Sequence, residues 1–225
     1  LRRGLLVPAL TTALMLLVLL GLGTWQVRRL AWKNQLLAQI DAAERAPAVP
    51  LPAHPPPFAK VAVSGRLRPD LAALYGAEGR DTAAGPVLGA QLIEPLERAG
   101  EPVLVDLGWV PLTWQAPATP SPAETEITGY ARPADHSGWF SAADNPGKRL
   151  FYTLDPQAIG AALGLPRVAP FTLVALGPAP AAGYPDPARQ LPRPPNNHLQ
   201  YAITWYGLAA ALLVVFAAYL KGSRA

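Results

Sequence analysis

Leu199 to Leu220 runs for 22 residues without a charged side chain, and Leu5 to Trp25 does the same for 21. About 20 apolar residues span the hydrocarbon core of a bilayer as a helix. Both runs therefore predict transmembrane helices, drawn here at residues 5–27 and 198–220. A cleaved signal peptide is the competing reading of the first. Its apolar stretch is too long for one, and no A-x-A-like site follows. The two spans constrain the fold most, because the 46–195 segment must then begin and end at a membrane. The chain is 51% hydrophobic and only 15% charged, with the apolar excess at its two ends.

The charges add a topology. Arg2 and Arg3 precede the first span, and Lys221 and Arg224 follow the second. Between the spans 15 basic residues are balanced by 15 acidic ones, so the net charge of +4 comes from the tails. Lysine and arginine gather on the cytoplasmic side, which predicts cytoplasmic termini and a translocated central domain. Arg28, Arg29 and Lys33 at the far end of the first span argue the other way. Long domains cross largely regardless of charge, which weakens that argument. The basic balance is thus a lipid-bilayer signal and gives no basis for nucleic-acid binding. There is no cysteine, which excludes disulfides, C-x-x-C redox chemistry, iron–sulfur clusters and thiolate zinc sites. The one methionine, Met15, lies inside the first span, so a copper chaperone built on soft sulfur ligands is excluded with them.

Trp25, Trp32, Leu36, Leu37 and Ile40 recur at helical spacing, so the first helix should continue beyond the span to about residue 45. Pro47 to Pro57 holds six prolines in eleven residues and predicts an extended linker. Strand signals follow at Val61–Leu67, Val87–Ile93, Val103–Val110, Glu126–Tyr130, Arg149–Leu154 and Phe171–Leu176. In the third, Val103, Val105, Leu107 and Trp109 alternate onto one face. Leu104 and Val110 occupy the other, which predicts a central strand buried on both sides. Asp106 within it requires a hydrogen-bond partner. Asp155 before Pro156 predicts a capped short helix ending at Gly164. The expected fold is two transmembrane α-helices flanking one mainly-β (α+β) domain, as a barrel or a sandwich.

No G-x-S-x-G, H-E-x-x-H, Walker loop or G-x-G-x-x-G is present. His54 falls in the proline linker and His136 in a turn. His198 differs: it heads the second span, behind Pro194-Pro195-Asn196-Asn197, where either asparagine could cap the helix. An ionisable residue at a membrane span is a functional candidate. It could cap or anchor the helix beside Tyr201 and Trp205, or serve as a single axial ligand to a haem. Ala202 and Trp205 follow it on one helix face. Gly207 and Ala211 offer a small-xxx-small pair for close approach to Gly21 and Gly23 of the first span. A crevice lined by Trp25, His198 and Trp205 would result.

At these residues the chain resembles the Surf-one (surfeit locus protein one) family, which assists assembly of cytochrome c oxidase. The matching segments are Gly23-Thr24-Trp25-Gln26-Val27-Arg28-Arg29 with Trp32-Lys33, then Val103-Leu104-Val105-Asp106-Leu107-Gly108-Trp109-Val110-Pro111, and Gly138-Trp139-Phe140. The most specific is Asn196-Asn197-His198-Leu199-Gln200-Tyr201-Ala202-Ile203-Thr204-Trp205-Tyr206-Gly207-Leu208-Ala209. The family often has a basic residue before the central Gly-Trp; Leu107 stands there instead. The resemblance implies two spans around a domain outside the bacterial inner membrane or in the mitochondrial intermembrane space. It implies action around haem a insertion into oxidase subunit I, haem a bound through His198, and no catalytic turnover. Subunit I and its assembly intermediates are the implied partners, with haem a synthase a candidate donor. No arginine- and serine-rich, acid-poor targeting segment precedes Leu5, and the Ala-, Leu- and Pro-rich composition suits a bacterium, so the inner membrane is expected.

The expected site is then His198 on the haem iron, flanked by Trp205 and Trp25. Arg28 or Arg29, just outside the span on the same side, would pair with propionates. A cofactor-free scaffold for an oxidase intermediate is the alternative reading. A hydrolase using Asp106, Asp135 or His136 is the third.

Overall fold

The computed structural model describes residues 3–82, 85–115, 124–139, 141–181 and 183–223. Arg2, Arg224 and Phe140 of the sequence arguments lie outside the described residues. The chain divides into two units. Leu1–Asp41 with Pro192–Ala225 forms one, and Ala42–Leu191 the other.

The first unit is helical. α1 (Arg3–Arg45) and α3 (His198–Gly222) are both long and apolar enough to cross a membrane, and both leave most of their apolar surface uncovered. At 1.5 Å per residue, α1 is about 65 Å long, roughly twice the thickness of a hydrocarbon core. Hydroxyls within these apolar runs bond back one turn: Thr11 to the Val7 carbonyl, Thr24 to Leu20 and Thr204 to Gln200. The helices meet through Gly23, Ala202 and Ala209, which are buried, and through Tyr206. A Cβ on Gly23 would come within 2.8 Å of the Tyr206 ring. The Tyr206 hydroxyl lies 3.1 Å from the hydroxyl of Thr24. This corrects the expected contact: Gly21, Gly207 and Ala211 are exposed, and nothing lies within 4 Å of a Cβ on either glycine. A flat phenol ring laid on Gly23 brings the helices together instead.

The second unit holds all eight strands among the described residues. They are β1 (Val49–Pro50), β2 (Lys60–Leu67), β3 (Ala73–Thr82), β4 (Gly85–Glu97), β5 (Val103–Pro111), β6 (Thr125–Pro133), β7 (Leu150–Phe151) and β8 (Phe171–Ala175). Strands run β1-β2-β6-β8-β5-β4-β3-β7 in one mixed sheet. A further pairing of β2 with β4, Arg66 opposite Glu97 and Leu67 opposite Leu96, closes the middle of that order into a five-stranded barrel. The closure occurs at Gly65, where β2 leaves β6 and crosses to β4. A side chain there would collide with the Glu97 carbonyl, so Gly65 permits the corner.

Val61, Val63, Leu96, Val103, Val105, Ile127, Leu173 and Ala175 fill the barrel interior. A second apolar layer covers its outside, where Ala73, Ile93, Leu104 and Phe151 meet Ile159 and Leu163 of α2 (Pro156–Ala162). β5 is thus buried on both faces. Asp155 caps α2, its carboxylate accepting from the N–H groups of Gln157 (2.9 Å) and Ala158 (3.3 Å). Burial of each large aliphatic side chain in these layers stabilises by about 1.5–3 kcal/mol.

One irregularity reorders the strand pattern. Leu92 pairs with Gly108 and Ile93 with Asp106, leaving Leu107 as the extra residue of a β-bulge. Gly108 has φ +118°, and a Cβ on it would strike the Asp186 backbone. Its N–H donates to the Asp106 carboxylate at 3.0 Å, which supplies the partner that buried Asp106 requires. Beyond the bulge, Trp109 stands opposite Gln91 and covers Gly89, on the outer face. Trp109 therefore does not share a face with Val103 and Val105, as strict alternation predicts.

Candidate functional site

His198 is the first residue of α3, and Asn197 precedes it at the cap position without a side-chain capping bond. Asn196 instead donates its amide to Asn34 Oδ1 of α1 at 2.9 Å, and Arg193 pairs with Asp41 at 2.8 Å. These two contacts fasten the start of α3 along α1. They set the imidazole beside the last turns of the α1 apolar run.

There the His198 Nδ1 lies 2.6 Å from Oε1 of Gln26. Gln26 is only 8% exposed, a buried amide in an otherwise apolar helix pair. An Nδ1–H donating to this oxygen fixes the tautomer and leaves the Nε2 lone pair free, the form in which imidazole ligates metals. Among the described residues nothing else bonds to the ring. The Trp25 indole meets it edge-on, with centroids 6.5 Å apart, and remains 54% exposed. Ala202, one turn on, is buried and small, and Trp205 is half-buried a turn further. No three His, Cys, Asp or Glu side chains converge among the described residues. The donor set is therefore one imidazole among flat aromatic and small residues. It suits a planar ligand held at a single axial position and does not suit a bare metal ion.

The two arginines differ. The Arg29 guanidinium stacks 4.1 Å from the Trp32 ring centroid. Arg28 is exposed, and among the described residues it makes no hydrogen bond or ion pair. Of the two, Arg28 is the one whose fork remains available to an anion.

Of the sequence-predicted site residues, His198 and Trp25 are brought into contact. Trp205 shares the His198 face of α3 without touching the ring. Gln26 was visible in the sequence only as a polar residue at the end of an apolar run, because its partner lies 172 positions away. The two carboxylates of the hydrolase reading are committed elsewhere, and its histidine, His136, is exposed, as is His54 of the linker. The Asp135 carboxylate accepts from Arg132 at 2.7 Å and from the Tyr75 hydroxyl at 3.2 Å. Asp106 serves the bulge, and its burial raises its pKa to about 6.

Comparison with known proteins decides the kinship. The SURF1 family profile matches residues 13–210. The chain belongs to the SURF1 family. It is 30% identical over 212 residues to surfeit locus protein 1 of Rattus norvegicus, covering 85% of this chain and 68% of that one. It is 29% identical to surfeit locus protein 1 of Homo sapiens over 227 residues, 90% of this chain and 74% of the relative. The SURF1-like protein of Rickettsia bellii is 28% identical over 221 residues, 94% and 90% of the two chains. The matched region runs from inside α1 through the barrel into α3, and the positions of Gln26 and His198 both lie within it.

Proposed function

We propose that this SURF1 family member binds haem a through His198 and assists assembly of cytochrome c oxidase, at the stage when haem a enters subunit I. The observation that carries the reading is the Gln26–His198 hydrogen bond. It occupies Nδ1 and leaves Nε2 without a hydrogen-bond partner among the described residues, at the end of an apolar helix pair. Haem, when bound, would supply an apolar ring and an iron that accepts a nitrogen donor. The chain's own residues would then hold and release. His198 offers Nε2, Gln26 keeps the ring from turning, and Trp25 and Trp205 present aromatic surface. Arg28 would meet the propionates, Arg29 being engaged with Trp32.

On this reading the protein is a binding factor without turnover of its own. Its partners are oxidase subunit I, assembly intermediates and a haem a synthase that delivers the cofactor. The location that fits is a bacterial inner membrane, with both tails cytoplasmic and the barrel on the periplasmic side. The basic tails and the Rickettsia relatives support it.

A second reading is favoured by the same bond seen differently. Gln26–His198 satisfies a buried amide and a half-buried imidazole across the helix pair, and could act only as a lock in a cofactor-free scaffold. Co-expression with a haem a synthesis system, followed by purification in detergent, separates the two. Haem a is expected in the parent absorption spectrum and absent from His198→Ala. A colourless parent, or a pigment indifferent to the substitution, would leave the scaffold.

A further inference from the structure

The open end of the barrel is a cavity of about 640 Å³ to which each of the five ring strands contributes. Leu67 comes from β2, Leu92 and Glu94 from β4, Leu107 from β5, Thr125 to Thr128 from β6 and Ala175 from β8. Its size is that of a small-molecule site, and barrel mouths are common places for one. The lining is mostly apolar and includes Trp114, Tyr184 and five prolines.

Glu94 breaks that apolar lining. Its side chain alternates inward with Leu92 and Leu96, and the residue is 4% exposed. Among the described residues no donor reaches its carboxyl group, by hydrogen bond or ion pair. Arg68, next to the rim residue Pro69, has its guanidinium committed to Asp70 and Glu97. Burial raises the Glu94 pKa to about 7, and the one charge that acts on it, Asp70, is another acid and adds to the rise. The carboxyl oxygens of Glu94 are not sealed off but open on the cavity, where a ligand that brings N–H groups would complete them. The pieces present are an apolar well, two acids on its lining, buried Glu94 and exposed Glu126, and no cation.

We infer that the barrel mouth is a binding site for a small organic ammonium, whose apolar body fills the well while its N–H groups bond to Glu94. Trp114, which also lines the cavity, adds aromatic surface on which such a cation is favoured. This site lies wholly within the barrel unit and does not depend on the His198 reading.

The test uses the full chain in lipid nanodiscs, with hexylammonium, hexanol and hexanoate titrated calorimetrically against nanodiscs with and without protein. Hexylammonium is expected to saturate one site about tenfold more tightly than hexanol, the margin of one charge-assisted hydrogen bond. Hexanoate should bind more weakly still. Glu94→Gln should bring hexylammonium to the level of hexanol and leave hexanol unchanged, which also shows that the well remains folded. Leu107→Lys places an ammonium inside the same cavity, one strand from Glu94, and should abolish hexylammonium binding. Equal binding of the three probes, no saturable hexylammonium site, or unchanged binding in Glu94→Gln would each overturn the inference. So would loss of both hexanol and hexylammonium in Glu94→Gln while Leu107→Lys still binds hexylammonium.

Discussion

Gln26→Leu removes the one hydrogen bond that fixes the His198 ring, with little change in side-chain volume. In the parent, Nδ1 donates across 2.6 Å to an amide oxygen that is almost fully buried. In the variant, that nitrogen faces an aliphatic chain. Leaving a buried polar group without a partner costs about 1–3 kcal/mol. The imidazole has three ways to avoid this: turn about its side-chain bonds, move its proton to Nε2, or charge. Each withdraws the free Nε2 lone pair. Loss of such an orienting partner typically weakens metal affinity about 10- to 100-fold. Two readouts test this. Haem a titrated into purified protein should bind about 10- to 100-fold more weakly in Gln26→Leu. Gln26→Glu, which keeps an acceptor at the same place, should retain most of the affinity. Independently of haem, nitrogen NMR of histidine-labelled protein should show His198 protonated on Nδ1 in the parent and a changed state in Gln26→Leu. An unaltered His198 tautomer together with unaltered haem affinity would refute the reasoning. Gln26 would then be a passive filler of the helix pair.

Three further outcomes are expected in the barrel unit. Gly108→Ala forces a side chain onto φ +118° and against the Asp186 backbone, and should destabilise by about 3 kcal/mol, read as a lowered melting temperature; a change under about 0.5 kcal/mol would contradict the bulge geometry. Asp155→Ala leaves two N–H groups of α2 uncapped and should cost about 1 kcal/mol by the same measurement. Glu94 holds its proton to about pH 7 when folded but only to about 4.5 when unfolded, so its contribution is fully present below pH 4.5 and is lost as the pH rises to 7. Comparing the pH profiles of the parent and Glu94→Gln should therefore show the variant gaining about 3 kcal/mol on the parent between pH 4.5 and 7.5. Parallel profiles would mean that the Glu94 carboxyl is solvated.

The sequence was informative wherever one periodicity ran undisturbed. Both long helices, the capped α2 and the strands at Val61, Val103 and Phe171 follow from apolar spacing and cap chemistry. β3 escaped notice because Ala73–Thr82 is polar, largely uncovered and interrupted by a register shift between Tyr75 and Glu78. Arg149–Leu154 signalled a full strand, but only Leu150 and Phe151 pair, at the outer edge beside β3. Trp109 was placed on the wrong face because period-two counting cannot see a bulge, and Leu107 supplies one. Barrel closure was equally invisible: it depends on Gly65 letting β2 approach the Glu97 carbonyl, a contact between distant strands.

The site divides in the same way. His198 stood out because an ionisable side chain at the head of an apolar span is costly without a purpose. The residue that orients it did not, since Gln26 acquires its meaning only from a partner on another helix. Small-residue spacing pointed to Gly207 and Ala211, whereas the packing uses Gly23 against an aromatic ring, for which no spacing rule exists. Glu94 was hidden inside a strand whose inward face only the closed barrel defines. Leu107, noted as standing where the family often has a basic residue, turns out to line the cavity that contains Glu94.

The central claim is that His198 ligates haem iron, and chemical rescue tests it most directly. His198→Gly, co-expressed with haem a synthesis and purified with and without imidazole, keeps the space and removes the covalent ligand. The account predicts a colourless protein that regains a haem a spectrum when imidazole is supplied. Full pigment in His198→Gly without imidazole would contradict it and place the iron ligand elsewhere.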